Sequence, residues 1–297
     1  MFKSGFVAII GRPNTGKSTL FNAFFKQKLA IISAKPQTTR NAIRGILTSE
    51  DYQIIFIDTP GIHKPHHRLG EQLNKTAYAH SKGVDLLFYM VDASKPFGSG
   101  DDFMLNKLKE FNTKVFLVIN KIDLLTKKEL LDYISAYQSL YEFQEIIPIS
   151  ALNYDNIDKL LELTLKYLQE GPKYYPTDRL VEYPEQFIIS EIIREKIINL
   201  TEEEIPHSVA VVIEQIKKEK ETLFINALIL IERDSQKGII IGKQGKMLKA
   251  VGQQAREELE IILGNKIFLE LFVRVEKDWR NKQNKLNQLG YITPLED

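Results

Sequence analysis

The sequence predicts two domains of different class. A doubly wound α/β domain with a mostly parallel sheet occupies residues 1–171, and an α+β domain occupies 185–297, with a linker at 172–184 between them. Three observations carry this. A chain of 297 residues suits two cores of roughly 150 residues each. In the first half, short apolar runs alternate with helical stretches, the pattern of βαβ units. After the Gly- and Pro-bearing stretch Gln169–Pro176 the order becomes helix, strand, strand, helix, strand.

Composition narrows the class further. Forty Lys+Arg against 39 Asp+Glu leave a formal charge of +1, which excludes a chain that coats nucleic acid or membrane by bulk charge. With 43% hydrophobic and 27% charged residues the chain can bury cores and is no disordered polyampholyte. The absence of cysteine excludes disulfides, thiolate zinc sites and cysteine nucleophiles. No apolar run approaches the roughly 18 residues of a membrane span. Met1–Gly5 leads straight into a strand without a signal-peptide core. A soluble, cytoplasmic monomer is expected.

Taken in order, Phe6–Ile10, Gln53–Ile57, Asp85–Val91, Val115–Ile119 and Glu145–Ile149 are β-branched and aromatic runs, apolar on both faces as buried parallel strands are. A helix opens near Ser18, and another, Asn156–Leu168, closes the half where Gly171 and Pro172 stop it. Beyond the linker, Glu185–Leu200 reads as an amphipathic helix. Phe187, Ile188, Ile192 and Leu200 are sorted there from Glu195 and Lys196 on the other face. Strands Val209–Ile216 and Leu223–Ile231 flank a charged turn, Lys217–Glu221. The helix Lys246–Leu263 should bury Leu248, Val251, Ala255, Leu259 and Ile262. A third strand, Ile267–Val275, and a last helix around Trp279–Leu289 follow, with Trp279 anchoring that helix in the core.

Gly11-Arg12-Pro13-Asn14-Thr15-Gly16-Lys17-Ser18 fits G-x-x-x-x-G-K-[ST] between the first strand and the first helix, the setting of a phosphate-binding loop. Its glycines let backbone N–H groups turn onto a β-phosphate at a helix N-terminus. Lys17 can reach the β/γ oxygens and the Ser18 hydroxyl can ligate Mg²⁺. Asp58-Thr59-Pro60-Gly61 ends the next strongly apolar strand. Asp58 can hold Mg²⁺ through water, and the Gly61 amide can approach a γ-phosphate. In the loop Lys35–Arg40, Thr39, or else Thr38, can complete the metal shell with GTP and leave it after hydrolysis. Asn120-Lys121-Ile122-Asp123 selects the base. The Asp123 carboxylate accepts from guanine N1–H and the 2-amino group. Adenine lacks both donors, leaving a desolvated carboxylate unpaired at about 1–3 kcal/mol or more. The Lys121 stem covers the base plane, and Ser150-Ala151-Leu152 offers a backbone N–H to guanine O6. GTP is therefore preferred over ATP.

In the second half, Gly242-Lys243-Gln244-Gly245 follows the apolar run Ile239–Ile241 and precedes a helix. A G-x-x-G loop so placed can clamp a single-stranded nucleic-acid backbone. Lys246, Lys249, Gln253 and Arg256 share a helix face contiguous with Lys243. Residues 237–285 carry eleven Lys/Arg against six Asp/Glu, and residues 185–236 carry six against eleven, so one side of the domain is basic.

These motifs together resemble the translation-factor-related GTPases, particularly the Era branch, and the second half resembles a type II KH domain. The resemblance extends over roughly residues 3–293, to Val273-Arg274-Val275, Trp279-Arg280 and Leu289-Gly290-Tyr291. It implies a GTPase that binds the 3′ end of 16S ribosomal RNA, assists 30S subunit maturation and makes peripheral contact with the inner membrane. It also implies a K⁺ ion held with the help of Asn14. One position departs from the Ras-like pattern: Ile62 stands where those proteins carry the water-orienting glutamine, so slow intrinsic hydrolysis is expected, about 10⁻⁴–10⁻² s⁻¹. His63, His66 and His67 read as part of a switch loop rather than a metal site. Coupling between the halves is expected through the switch loops and the linker near Pro172–Pro176. Two rivals stand beside this reading: an accessory GTPase of tRNA modification, against which the G-x-x-G half speaks, and a C-terminal protein-interaction module.

Overall fold

A computed structural model describes residues 1–291. The first half is one six-stranded sheet built from β1 (Lys3–Gly11), β2 (Ile43–Thr48), β3 (Tyr52–Asp58), β4 (Leu86–Asp92), β5 (Lys114–Asn120) and β6 (Glu145–Pro148). Their spatial order is β2-β3-β1-β4-β5-β6, and all neighbours are parallel except β2, which runs antiparallel to β3 at the edge. The helices α1 (Lys17–Phe25), α2 (Arg68–Ala79), α3 (Ser99–Leu108), α4 (Lys127–Gln138) and α5 (Ile157–Tyr167) supply the connections. Because both faces are covered, the central strands are apolar throughout. Val7, Ile9, Phe56, Phe88 and Phe116 pack with α1 and α5 on one side, while Ala8, Ile10, Tyr89, Leu117 and Ile119 form a second core with Met104 and Leu105 of α3 and Tyr137 of α4 on the other.

The second half is a three-stranded sheet, β7 (Ala210–Glu219), β8 (Thr222–Ile231) and β9 (Lys266–Val275). β8 is central, antiparallel to β7 and parallel to β9. Against it lie α6 (Glu185–Leu200), the single turn α7 (Ile205–Ser208), α8 (Asp234–Ile241) and α9 (Lys246–Leu263), and α10 (Gln283–Gln288) comes last.

Several sequence expectations need correction. β2 is not marked by a strong apolar run, since Arg44 and Thr48 give an edge strand only a half-buried pattern. β7 continues through Lys217–Glu219, paired with Phe224, Leu223 and Thr222, and the turn shrinks to Lys220–Glu221. Ile239–Ile241 is the last turn of a helix, which inserts α8 ahead of α9. The last segment is a 3-10 turn at Trp279–Asn281 followed by a shorter helix than expected, and Trp279 is buried with its Nε1–H donating to Ser208 O at 2.9 Å. On α9 the stripe holds at Val251, Ala255 and Leu259, but Ile262 is exposed. Glu195, placed on the polar face of α6, is buried.

The linker is no free tether. Ile46 N–H donates to Leu180 O and Glu182 N–H to Arg44 O along the outer edge of β2, and the Gln53 side chain accepts from the backbone N–H groups of Tyr174 and Tyr175.

Candidate nucleotide site and nucleic-acid interface

The nucleotide motifs converge where the parallel strands end. Gly11 closes β1, Asp58 closes β3 and Asn120 closes β5. The loops beyond them surround a cavity of about 440 Å³ lined by Pro13, Asn14, Gly16, Lys17, Ser18, Gln37, Thr38, Thr39, Gly61, Asp92 and Lys121. This is the crevice at the carboxyl ends of the strands where open α/β sheets take ligands.

Three oxygens meet at its floor. Ser18 Oγ lies 2.6 Å from Asp58 Oδ2 and 2.8 Å from Thr39 Oγ1, and Thr39 Oγ1 is 3.4 Å from the same carboxylate oxygen. Thr38 turns elsewhere, donating its hydroxyl to Lys35 O at 2.6 Å, whereas the Thr39 hydroxyl faces Ser18 and Asp58. Asp58 is wholly buried, and its Oδ1 has no hydrogen-bond partner among the described residues. Burial raises its pKa to about 6, against the opposing pull of Ser18, Lys17 and Thr39. A buried carboxylate with a free lone pair beside two hydroxyls is an all-oxygen donor set that fits a hard divalent cation. Lys17 is also buried, and its Nζ donates to the carbonyls of Gly11 at 3.2 Å and Arg12 at 2.8 Å. Burial lowers its pKa to about 8, although Asp58 works the other way. An anion arriving here would offset the burial of the Lys17 ammonium, and a divalent cation that of the Asp58 carboxylate.

The P-loop is held from outside by its second residue, for Arg12 forms an ion pair with Asp101 of α3 at 2.9 Å. Thr15 hydrogen-bonds Arg12 O, and Thr59 Oγ1 donates to Ile9 O at 2.7 Å. Pro60 and Gly61 carry the chain past the P-loop. A Cβ on Gly61 would sit 2.8 Å from Pro13 Cα, so only glycine permits this approach. Ile62 turns into the core, as a side chain without polar atoms must. Asn14 Nδ2 donates to Ala34 O at 2.6 Å, closing the loop before Thr39 over the P-loop.

Asn120 and Lys121 tie the loops 120–123 and 150–152 to the phosphate loop. Asn120 donates to Thr15 O at 2.8 Å and accepts from Ala151 N–H at 2.9 Å. The Ala151 amide is thus engaged by Asn120 in this structure, while Ser150 is buried and Leu152 exposed at the rim. Lys121 Nζ reaches Asn14 O at 3.0 Å and Asp92 Oδ2 at 2.6 Å, so its stem spans the mouth of the cavity. Ile122 and Asp123 begin a 3-10 turn, and the Asp123 side chain is exposed at the rim.

Sequence reasoning missed two features here. Gln37, whose backbone is left-handed at φ 61°, bonds His63 across the two switch loops at 2.9 Å. His67 caps α2 by accepting the Gly70 N–H at 3.0 Å. His63 and His67 therefore serve loop architecture, and no signal in their spacing announces it.

In the second half, Gly242 and Gly245 adopt φ 71° and 75°. A Cβ at Gly242 would lie 2.7 Å from that of Met247, so the tight entry to α9 demands glycine there. Lys243, Gln244, Lys246, Lys249 and Arg256 are all exposed. Between α9 and β9 runs a groove of about 470 Å³ lined by Gly245, Lys249, Gln253, Arg256 and Phe268 among others. A basic wall, an exposed aromatic and a glycine loop at one end suit a single strand with its phosphates on α9 and its bases toward β9.

Residues 6–121 match the family model described as 50S ribosome-binding GTPase, and residues 204–280 match the KH domain model. The chain is similar to the solved structure of Era in complex with MgGDPNP and nucleotides 1506–1542 of 16S ribosomal RNA. The two are 40% identical with a TM-score of 0.96, over 98% of this chain and 99% of that one. It is similar to the same degree, with a TM-score of 0.95, to a single-residue variant of Aquifex aeolicus Era bound to GDP.AlF4⁻. Identity at that level along the whole length, on a nucleotide cradle followed by a KH groove, places the chain in the Era family of GTPases.

Proposed function

We propose that this chain is a GTP-hydrolysing switch that grips the 3′ end of 16S ribosomal RNA through its KH domain and assists assembly of the 30S subunit. The observation that carries it is the pairing, in one chain, of a guanine-type cradle with a basic G-x-x-G groove. The 40% identical Era captured with a GTP analogue and 16S nucleotides supports the choice of RNA. The 50S wording belongs to a family model that spans only residues 6–121, short of the KH domain.

In this reading the P-loop amides of Asn14–Ser18 cradle the β-phosphate, and Lys17 exchanges the Gly11 and Arg12 carbonyls for β/γ oxygens. Ser18 and Thr39 directly, and Asp58 through water, would hold Mg²⁺, which when bound neutralises phosphate charge. The Gly61 amide faces the γ-phosphate. Water attacks phosphorus in line as the bond to GDP breaks, giving GDP and inorganic phosphate. Ile62 offers no group to orient that water, so the unassisted rate is slow. Asp123 and Lys121 choose guanine, with the Ser150–Leu152 loop behind the base. Asn14, whose Nδ2 is fixed by its bond to Ala34 O, would help to hold a K⁺ ion beside the phosphates. Equal turnover in K⁺ and Na⁺ would remove that ion from the scheme. Among the described residues no helix is long and apolar enough to cross a membrane; the membrane contact that belongs to this reading is peripheral, and the chain acts in it as a monomer.

Filter binding of an oligoribonucleotide matching the 16S 3′ end tests the proposal. Affinity should fall steeply with salt, and Lys243→Glu with Lys246→Glu should abolish it. Unchanged affinity in that double variant favours a KH half that binds protein instead.

A further inference from the structure

The loop that carries Thr39 is held less by its own domain than by the KH half. Arg40, the next residue, is 1% exposed, and every hydrogen-bond partner of its guanidinium among the described residues belongs to the second domain. Nη1 donates to Val209 O at 2.7 Å, and Nη2 donates to Pro206 O at 3.2 Å and His207 O at 3.1 Å. The plane sits 5.7 Å from the Trp279 ring and 6.0 Å from that of Tyr291. On the other side of Thr39, the Thr38 carbonyl accepts from Arg194 of α6, itself 1% exposed and paired with Glu191. Further back, Glu195 accepts the Ile32 N–H at 2.8 Å and pairs with Lys28 at 2.5 Å, and Ile31 is buried in the KH core. Thr39 is thus clamped on both flanks by the RNA-binding domain, while its hydroxyl points the opposite way, to Ser18 and Asp58.

The clamp connects to the groove. Lys196, two residues beyond Arg194 on α6, pairs with Glu258 of α9, which Lys28 also reaches at 2.6 Å. α9 carries Lys249 and Arg256, the basic wall. Trp279 lies four residues beyond β9, the other wall. The clamp is also built to let go. Among the described residues Arg40 is held by carbonyls, a tyrosine hydroxyl and ring faces without a carboxylate in hydrogen-bond contact, and neither its Nε nor Arg194 Nη1 has a partner. A buried guanidinium served only by neutral groups is expensive to hold, so a modest rearrangement of the loop can release it.

We propose that Arg40 and Arg194 are positioning residues that let the KH domain set Thr39, so that the nucleotide site and the RNA groove read one another through this clamp rather than through the 172–184 linker. The inference rests on the functional reading above and adds the residues that carry the coupling. Coupling between two sites is reciprocal, and a value of about 5- to 150-fold is ordinary for such a two-state element.

The test uses the full chain with GTPγS, GDP and the 16S-matched oligoribonucleotide as probes. In the wild type, RNA Kd should differ at least about fivefold between the GTPγS and GDP forms. In Arg40→Lys and in Arg194→Gln that ratio should collapse towards one. GTPγS affinity should weaken about tenfold with a raised Mg²⁺ requirement, and GDP affinity should stay within about twofold, since GDP does not call on Thr39. Arg40→Ala should behave likewise but more severely, and if it fails to fold the lysine variant decides. A merely structural role would move the melting temperature and GDP affinity together and leave the ratio intact, which overturns the inference. So does a ratio that survives in both arginine variants but vanishes when Gly and Ser residues are inserted after Lys173. A wild type that binds both probes without mutual effect defeats the inference alone. A wild type that binds neither defeats the functional reading and the inference with it.

Discussion

Asn120→Ala tests how the nucleotide site is assembled. Asn120 is nearly buried and makes two buried hydrogen bonds, one to Thr15 O of the P-loop and one from Ala151 N–H of the base loop. Truncation leaves a carbonyl and an amide without partners, at about 1–3 kcal/mol each when water is excluded. With the cavity open, water reaches both groups and the free protein recovers part of this. With nucleotide seated, water is shut out. The cost therefore falls mainly on binding, about 2–4 kcal/mol, or roughly 30- to 700-fold in GDP affinity. Asn120→Asp separates the two bonds. It keeps an acceptor for Ala151 but turns a carboxylate oxygen toward the Thr15 carbonyl, so its loss should be at least as large. Displacement of a fluorescent GDP by unlabelled GDP gives the affinities, and thermal unfolding shows that both variants are folded. If both variants bind GDP within threefold of wild type, the two loops are positioned independently and the reasoning fails.

Three further outcomes follow from single contacts. Gly61→Ala must push the second switch loop off Pro13, since its Cβ would lie 2.9 Å from the Pro13 nitrogen. GTP turnover should drop about 100-fold, as for loss of one oxyanion donor, with GDP affinity retained, and unaltered turnover would show that the Gly61 amide plays no part. Asp123→Asn, at the exposed rim, should weaken GTP by about 1–3 kcal/mol while ATP stays equally weak, and a competition titration reads it. His67 must be neutral to accept from Gly70. Burial, then Arg280 and Arg40, hold its pKa down to about 4, with Glu232 opposing and His63 adding to the repulsion. A depressed histidine contributes stability that is fully present above its unfolded value near 6.5 and is lost as pH falls through about 4. In urea unfolding between pH 7 and 4, His67→Asn, which caps without titrating, should flatten the decline by at most about 1 kcal/mol, the ring being half-exposed. Parallel curves would show that His67 does not set the slope.

The nucleotide site is legible in sequence because its chemistry fixes backbone geometry locally. Lys17 and Ser18 must follow Gly16 at a strand-to-helix turn, and Asp58 and Asn120 must stand where apolar strands stop. The buried strands announce themselves because both faces are covered. What periodicity does not see is a neighbour supplied by another part of the chain. β2 is hidden because an edge strand buries only half its residues, and the linker that runs along it has no pattern of its own. Ile239–Ile241 reads as extended because three β-branched residues favour strands, yet the turn begun at Asp234 winds them into α8. Glu195 and Arg194 fall on positions that an isolated helix would give to water, but α6 packs on the KH sheet with one side and on the switch loop with another. The same holds for Arg40, which in sequence is only the residue after two threonines. These three charges break the local rule that charge stays in solvent, and each takes a partner from across the junction: Arg40 the Val209, Pro206 and His207 carbonyls, Arg194 the Thr38 carbonyl besides Glu191, and Glu195 the Ile32 N–H and Lys28 besides Lys196. They all lie where the loop bearing Thr39 enters the KH domain. A cost concentrated at that junction is what a contact between two ligand sites requires, since an interface of apolar residues would hold the halves together in every nucleotide state and report none of them.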